Sequence, residues 1–547
     1  MKILGINGGV TPLQHEPSAA LVVDGEVIAA AEEERFVRKK NAPGLVPINA
    51  IAACLKTGKL TIRDIDLIVH PGETSKDLVQ RIRLYMEHYF GFCPPVKLVN
   101  HQLAHMASAF YCAPYPEALC ISYDGYGDDL SGALGVGDKN GLRILRTYNI
   151  SESLGRFYSA LTSYLGFEVA EAEYKVMGLA PYGRRHIDLS PIVHIEDDSF
   201  TIDPSYFRAT DRTRSDGSGD ESEPPIRSFS EPWYSKKLVE LLGPPRRKGE
   251  PIDQRHRDIA AAIQQAFEEA TLTMVRRLRK EADIPYIALA GGCALNCKAN
   301  GLIRKLPGVK GVFVQPAASD RGLALGAALL AASEKGEAKH KLDHVFLGPE
   351  YSDAEIRGAF DVAGVRYRRI DDPSAQAAEL LAEGNIIGWF QGRAEFGPRA
   401  LGHRSILADP TRPNMKDEVN RRIKYREEFR PFAPAVLDTE ANKIFDLDVP
   451  SPFMTVAVDV RPEWRDRLPA VVHVDGSARV QTVSRATDPK FFDLIERFGQ
   501  LRGAPVVLNT SFNVRGEPIV ESPINAVATF AASGLNALIV ENYLIEK

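Results

Sequence analysis

The sequence predicts an α/β protein made of two related N-terminal halves followed by a second, smaller α/β region. Three observations predict it. Strand-like runs end at Asp/Gly turns. Helical runs, apolar at every third and fourth position, lie between them. The charge balance also changes late in the chain: residues 391–430 carry ten Lys/Arg against six Asp/Glu, a local +4 in a 547-residue chain whose net charge is −5.

Taken in order, ILGIN at 3–7 reads as a strand. SAALVV and EVIAAAEEE read as a hairpin, because Asp24-Gly25 between them suits the positive φ angles of a tight two-residue turn. EALCISYDGYG is a strand entering a Gly-rich turn, and SGALGVG and LRILRTYNI flank another turn at DKNG. VPINAIAACLKTG, KDLVQRIRLYMEHYF and HQLAHMASAFYCA read as helices. This repetition implies the two related halves. The acidic, Ser/Gly/Pro-rich stretch 213–226 reads as a mobile surface loop. A long helix over 254–282 leads to the strand YIALA, the turn GGCALN, the strand VFVQP and the small-residue helix RGLALGAALLAASEKG. The polar EKGEAKHKLDH marks a boundary, dividing the chain into domains 1–345 and 346–547. In the second, IIGWF, FMTVAVDV, ARVQTV, APVVLNTS and ALIVENYLI are the expected strands.

Composition narrows the function. Hydrophobic residues at 44% and charged residues at 25% exclude a collagen-like or largely disordered chain. No apolar run reaches the roughly 18–20 residues that span a bilayer, and MKILGINGG lacks a signal peptide's apolar stretch. A cytoplasmic protein without membrane partners is expected. The negative net charge speaks against nucleic acid as a partner. Cys54, Cys93, Cys112, Cys120, Cys293 and Cys297 form no CxxC pair and read as free thiols in a reducing compartment.

Several constellations carry chemistry. His101 and His105 are four apart on an expected helix, which puts both imidazoles on one face and lets them share a metal. The pair alone equally suits two ordinary histidines at a helix start. Asp124, at a strand end, and Asp320, opening a helix, add two carboxylates. Two His with two Asp suit a borderline divalent ion, iron ahead of zinc. Asp128 and Asp129 lie nearby as decoys. Gly291-Gly292 with Asn296 follow a strand and open a helix, where backbone N–H groups attract phosphate. Close helix–strand packing explains the glycines as well. These turns and the N-terminal hairpins resemble the nucleotide-binding fold of sugar kinases, Hsp70 and actin, a ribonuclease H-like arrangement.

His15 lies in the first inter-strand turn, where it reads either as a general base or as a solvated loop residue. After the hairpin, Arg35, Arg38, Lys39 and Lys40 form either a solvated basic run or part of an anion site, and Lys39 is the candidate with a catalytic role. In the second domain Arg399 sits in a Gly-Pro-Arg turn, Lys424 and Arg430 flank an aromatic-rich turn, Arg479 opens a strand, and Asn509 and Ser511 close another. Arginines grip phosphate or carboxylate with two parallel bonds, so a small polyanion pocket is expected here. Arg421 and Arg422 read as surface partners of Asp417, Glu427 and Glu428.

The motifs HEPSAAL, AEEERFVRKK, HQLAHMASA, YDGYGD, EYKVMGLAPYG, AGGCALNCKANG, QPAASDRG, GPRALGHRS, RPFAP and LNTSFNVRGEP together resemble the O-carbamoyltransferases of the NodU/CmcH/TobZ type. The resemblance implies a first domain like the metal-containing ATPase-fold protein of tRNA threonylcarbamoylation, and a second like that pathway's YrdC-type partner. It implies that the second domain makes carbamoyl adenylate from carbamoyl phosphate and ATP, with Mg2+ accompanying the nucleotide. The first would pass the carbamoyl group to a hydroxyl of a small natural-product or sugar acceptor, as in antibiotic biosynthesis. It assigns His101, His105, Asp124 and Asp320 to the metal and Gly291, Gly292 and Asn296 to the adenylate. Arg399, Lys424, Arg430, Arg479, Asn509 and Ser511 would hold carbamoyl phosphate and nucleotide, and His15 would be the acceptor's base. A sugar-kinase-like phosphotransferase, a fused tRNA threonylcarbamoylation enzyme and a non-enzymatic nucleotide switch are the rival readings. Oligomeric state stays open, with a homodimer allowed.

Overall fold

β1 (Lys2–Asn7) lies antiparallel to β2 (Ser18–Val23), with Ile3 opposite Val22 and Ile6 opposite Ala19. The Asp24-Gly25 dipeptide then turns the chain into β3 (Glu26–Glu32), with φ of 49° and 80° at the two turn residues. β4 (Leu67–Pro71) pairs parallel with β1, and β5 (Val96–Val99) parallel with β4. The sheet order is β3-β2-β1-β4-β5. A second hairpin follows: β6 (Ala118–Gly127), β7 (Leu130–Asp138) and β8 (Gly141–Asn149) pair antiparallel in turn. After the short pair β9 (Val193–Ile195) and β10 (Phe200–Ile202) come β11 (Tyr286–Ala290) and β12 (Gly311–Val314). These run parallel to β6 and to each other, giving the order β8-β7-β6-β11-β12. Both sheets thus have three antiparallel strands followed by two parallel ones. This is a duplicated ribonuclease H-like arrangement, the architecture of actin, Hsp70 and the sugar kinases.

The computed structural model describes residues 1–9, 14–210, 219, 224–337 and 341–547. Most of the expected acidic loop at 213–226 lies outside the described residues. The chain forms two units: Met1–Ile28 with Pro43–Leu342, and Ala29–Ala42 with Asp343–Lys547. Among the described residues no helix is long and apolar enough to cross a membrane.

The small-residue helix Leu323–Ser333 is buried over ten of its eleven positions. Its composition follows from close approach. A Cβ at Gly326 would lie 1.9 Å from the Ala104 carbonyl oxygen, and one at Gly5 would lie 1.8 Å from that of Ala324. Only residues without long side chains let this helix pack against both β1 and the helix His101–Phe110. That wedge sets Asp320, three residues before the helix, beside the two histidines.

In the second unit, β13 (Arg368–Arg369), β14 (Ile387–Phe390), β15 (Arg404–Ala408) and β16 (Ala433–Leu437) precede the separate pair β17 (Ala457–Asp459) and β18 (Ser477–Arg479). β19 (Gln481–Val483), β20 (Val506–Ser511), β21 (Ala537–Val540) and β22 (Tyr543–Glu546) complete a mixed sheet of order β13-β22-β21-β14-β15-β20-β16-β19. Alternate residues of β14 feed cores on the two faces: Ile387 and Trp389 join Phe491 and Phe498, while Phe390 joins Phe360 and Phe445. Three expectations need correction. FMTVAVDV is extended as a strand only over Ala457–Asp459, because Met454 turns left-handed at φ 55°. ALIVENYLI is two strands around Glu541, which has φ 47°. Arg479 closes β18 rather than opening a strand.

The packing of the buried glycine carries a stability prediction. Gly326→Val is expected to destabilise the protein by about 1–3 kcal/mol through overpacking. Chemical denaturation checks it, and wild-type stability in that variant would show that the two helices separate without cost.

Candidate functional site

The helix His101–Phe110 is held at its start by two acceptors. The Asn100 side chain accepts from Leu103 N at 3.1 Å, and Asp128 Oδ2 accepts from His101 N at 2.8 Å. With the start fixed, the i, i+4 spacing presents both imidazoles on one side. His101 Nε2 lies 3.4 Å from Asp124 Oδ2 and 3.7 Å from Asp320 Oδ1. His105 Nε2 lies 3.2 Å and 3.6 Å from the same two oxygens. One donor atom from each of the four residues lies within 4.8 Å of all the others. The structure therefore joins all four predicted residues, from one helix, one strand end and one turn. Two imidazole nitrogens and two carboxylate oxygens fit a borderline divalent ion such as iron or zinc. Asp128 is excluded by its own bonds, since it also accepts from Glu73 N and from the amide and hydroxyl of Thr74. Asp129 is exposed in the β6–β7 turn.

Asp124 divides its oxygens. Oδ1 accepts from Gly125 N at 2.8 Å and Gly292 N at 3.2 Å, which turns Oδ2 toward the histidines. Burial would raise its pKa, but hydrogen bonds from both imidazoles and their charge hold it well below the usual carboxylate range. Burial would likewise lower His105, yet Asp124 and Asp320 push it up to about 9.

The predicted phosphate turn has other work. A Cβ at Gly291, which has φ +89°, would meet the Tyr123 carbonyl oxygen at 2.2 Å, so this glycine seats the turn on the end of β6. The Gly292 amide is given to Asp124. Asn296 caps the helix Cys297–Arg304 through Ala299 N and exchanges two amide bonds of 3.0 Å with Gln264.

His15 is partly buried, with Nδ1 3.9 Å from Glu16 Oε2 and its ring edge-on to Phe229 at 5.8 Å. Glu16, which sequence reasoning passed over, is buried and left-handed at φ 59°. It pairs with Arg321. Burial would raise its pKa, but Arg321 and His15 lower it to about 2. Since Arg321 follows Asp320, this ion pair ties the His15 turn to the carboxylate cluster.

In the second unit Lys424 is buried. Its Nζ donates to the carbonyl and hydroxyl oxygens of Ser511 and to the carbonyl and side-chain oxygens of Asn513. Burial, then Arg426 and Arg430, push this ammonium well below its usual range. It closes a π-helical turn, Asn420–Lys424, a geometry common at functional sites. Asn509 donates to the Ala400 carbonyl at 3.2 Å and to Gln481 Oε1 at 2.8 Å. Arg430 lies 3.6 Å from Glu427, and Arg479 is half-buried. Arg422 reaches Glu418 and the Gly534 carbonyl rather than the acids expected for it. Lys39 is exposed, but Arg35 and Arg38 are not a solvated run. Arg35 is buried beside Glu32, and Arg38 donates to the Pro518 and Ile519 carbonyls. Arg404, also unforeseen, is fully buried over the Phe390 ring at 3.5 Å and donates to five backbone carbonyls.

The protein thus combines a duplicated ribonuclease H-like unit that holds a four-donor cluster with a mixed α/β unit. Sequence models described as carbamoyltransferase N-terminus and carbamoyltransferase C-terminus match residues 86–329 and 378–547. The chain is 37% identical to nodulation protein NolNO of Sinorhizobium fredii, covering 100% of this chain and 83% of that protein. It is 36% identical to an uncharacterized protein of Synechocystis sp., covering 98% and 96%. It is 28% identical to nodulation protein U of Rhizobium tropici, covering 94% of this chain and 91% of that protein. The chain belongs to the carbamoyltransferase family and is an enzyme of that class.

An ion taken up by the four donors must displace the proton that the two carboxylates hold on His105. Affinity for added Fe2+ or Zn2+ is expected to fall, roughly tenfold per unit for each proton displaced, from about pH 8 to about pH 6. In the metal-free protein the sign is opposite: the raised pKa adds stability that is complete below about 6.5 and lost as pH rises through about 9. Metal titration at the two pH values checks the first, and an affinity independent of pH would exclude His105 as a ligand.

Proposed function

We propose that this carbamoyltransferase is an ATP-dependent O-carbamoyltransferase with two reaction centres. The second unit converts carbamoyl phosphate, water and ATP, as its Mg2+ complex, into carbamoyl adenylate. The carbamoyl–phosphate bond is broken with release of phosphate, the α–β phosphoanhydride bond of ATP is broken with release of pyrophosphate, and the carbamoyl group ends on the α-phosphate. The first unit transfers the carbamoyl group to a hydroxyl of a small natural-product or sugar acceptor. The observation that carries the reading is the convergence of His101, His105, Asp124 and Asp320 in the first unit, while the expected anion-binding residues lie in the second.

In the second unit Arg399, Arg430 and Arg479 hold the phosphate groups, and Lys424 is kept in place by Ser511 and Asn513. Asn509 steadies the chain at Ala400. In the first unit a divalent ion at the four donors would supply charge to polarise a carbonyl or orient phosphate oxygens. His15 takes the proton from the acceptor hydroxyl as its oxygen attacks the carbamoyl carbon, and AMP leaves with the electron pair of the broken acyl–phosphate bond. Lys39 contributes positive charge to the carbamoyl phosphate side of the reaction.

The decisive experiment is mass spectrometry of candidate acceptors incubated with the protein, ATP and carbamoyl phosphate. A gain of one carbamoyl group with AMP release is expected, and a phosphoryl gain instead would overturn the reading. Arg430→Ala is expected to abolish formation of carbamoyl adenylate from carbamoyl phosphate and ATP, yet to transfer normally when supplied with carbamoyl adenylate; failure of that rescue would remove the two-centre scheme. His15→Asn should slow transfer by roughly 10²–10⁴-fold, the range for loss of a general base, with metal content and carbamoyl adenylate formation preserved. Unchanged transfer in that variant would remove His15 from the reaction.

A further inference from the structure

We propose that Glu32 and Arg35 are positioning residues for Arg399. The inference rests on the reading of Arg399 as an anion-holding group. Both residues belong to the short segment Ala29–Ala42, which forms part of the second unit although it lies more than 300 residues earlier in the chain.

The geometry is a clamp on one peptide unit and its neighbour. Glu32 Oε1 accepts from Gly397 N at 2.5 Å, and Arg35 donates to the Gly397 carbonyl at 2.6 Å. Arg35 Nε also donates to Glu32 Oε2 at 3.1 Å, so the two side chains hold each other as they hold Gly397. The chain is fastened again just beyond Arg399. Asn509 donates to the Ala400 carbonyl at 3.2 Å, and Gln481 to the Leu401 carbonyl at 2.6 Å. Glu395 Oε1 accepts from the amides of Leu401, His403 and Arg404 at 2.8, 2.8 and 3.1 Å. Between the two fastened points lie only Pro398 and Arg399, and proline has its φ angle locked by its ring. The backbone that carries Arg399 therefore has almost no freedom left.

The choice of residues points the same way. Glu32 and Arg35 are each 3% exposed. A buried ion pair costs desolvation that apolar residues of similar volume avoid, so it is a poor way to gain stability alone. Directed bonds to both sides of a peptide give what apolar packing cannot, a fixed orientation. An arginine that must meet a phosphate with two parallel bonds gains most from such preorganisation.

The test measures binding of carbamoyl phosphate to the full chain by calorimetry. Arg399→Ala should weaken it. Glu32→Gln with Arg35→Met removes the charges together and leaves the Gly397 carbonyl without its donor. That double variant should weaken binding roughly tenfold, the scale of one lost charge-assisted bond. In the Arg399→Ala background the same pair of changes should alter binding less than about twofold, because the residue they act through is gone. Arg35→Lys, which keeps one of the two bonds, should restore part of the affinity. An equal loss in both backgrounds overturns the proposal while leaving Arg399 as a ligand. Wild-type binding by Arg399→Ala overturns the reading of Arg399 and the proposal with it. Hydrogen exchange over 395–404 in Arg35→Lys gives a second readout that does not need the double variant to fold. Faster exchange at Gly397 is expected, and unchanged exchange overturns the clamp.

Discussion

Buried carboxylates that bind backbone amides are the interaction on which both units depend. Asp124 takes the amides of Gly125 and Gly292, and Asp128 takes those of Glu73, Thr74 and His101. Glu395 takes three from its own loop, and Glu32 takes Gly397. Each sits where the chain leaves a strand or helix and its amides have no ladder partner. Left unpaired in the interior, such groups would cost the desolvation of each one. A carboxylate answers several at once and makes each bond charge-assisted. The result is loops that keep one shape without regular secondary structure.

That device decides what the first unit can do. Because one oxygen of Asp124 is committed to the glycine turn, the other faces His101 and His105. Because Asp128 anchors the start of the helix, the two imidazoles point the same way. The close contact of Gly326 with Ala104 then brings Asp320 to the same place. No single element contains the site. It appears where a strand end, a helix face and a turn are held at fixed separations.

The second unit uses buried cations in the complementary sense. Arg404 gathers backbone carbonyls, and Lys424 gathers oxygens of Ser511 and Asn513. Motif residues that look equivalent in the sequence are therefore divided between tasks. Arg404 and Asn509 hold the frame, whereas Arg399 is carried by it.

By itself the sequence determined the α/β class, the turn at Asp24-Gly25, the long helix ending near 281 and the four residues of the His/Asp cluster. These are local signals: a dipeptide with positive φ, a 3.6-residue period, a four-residue His spacing, carboxylates at strand ends. The recurring motifs added the family. Only the tertiary structure decided the rest. The strand order that repeats across the two halves depends on non-local pairing, and β4, β5, β15 and β16 carry too little alternation to announce themselves. Glu16 and Arg321 lie 305 positions apart, and Glu32 and Gly397 lie 365 apart. A buried Arg35 reads in the sequence like any member of a basic run. Whether a charge is solvated or clamped to a distant peptide depends on what folds over it, and no local pattern of residues records that.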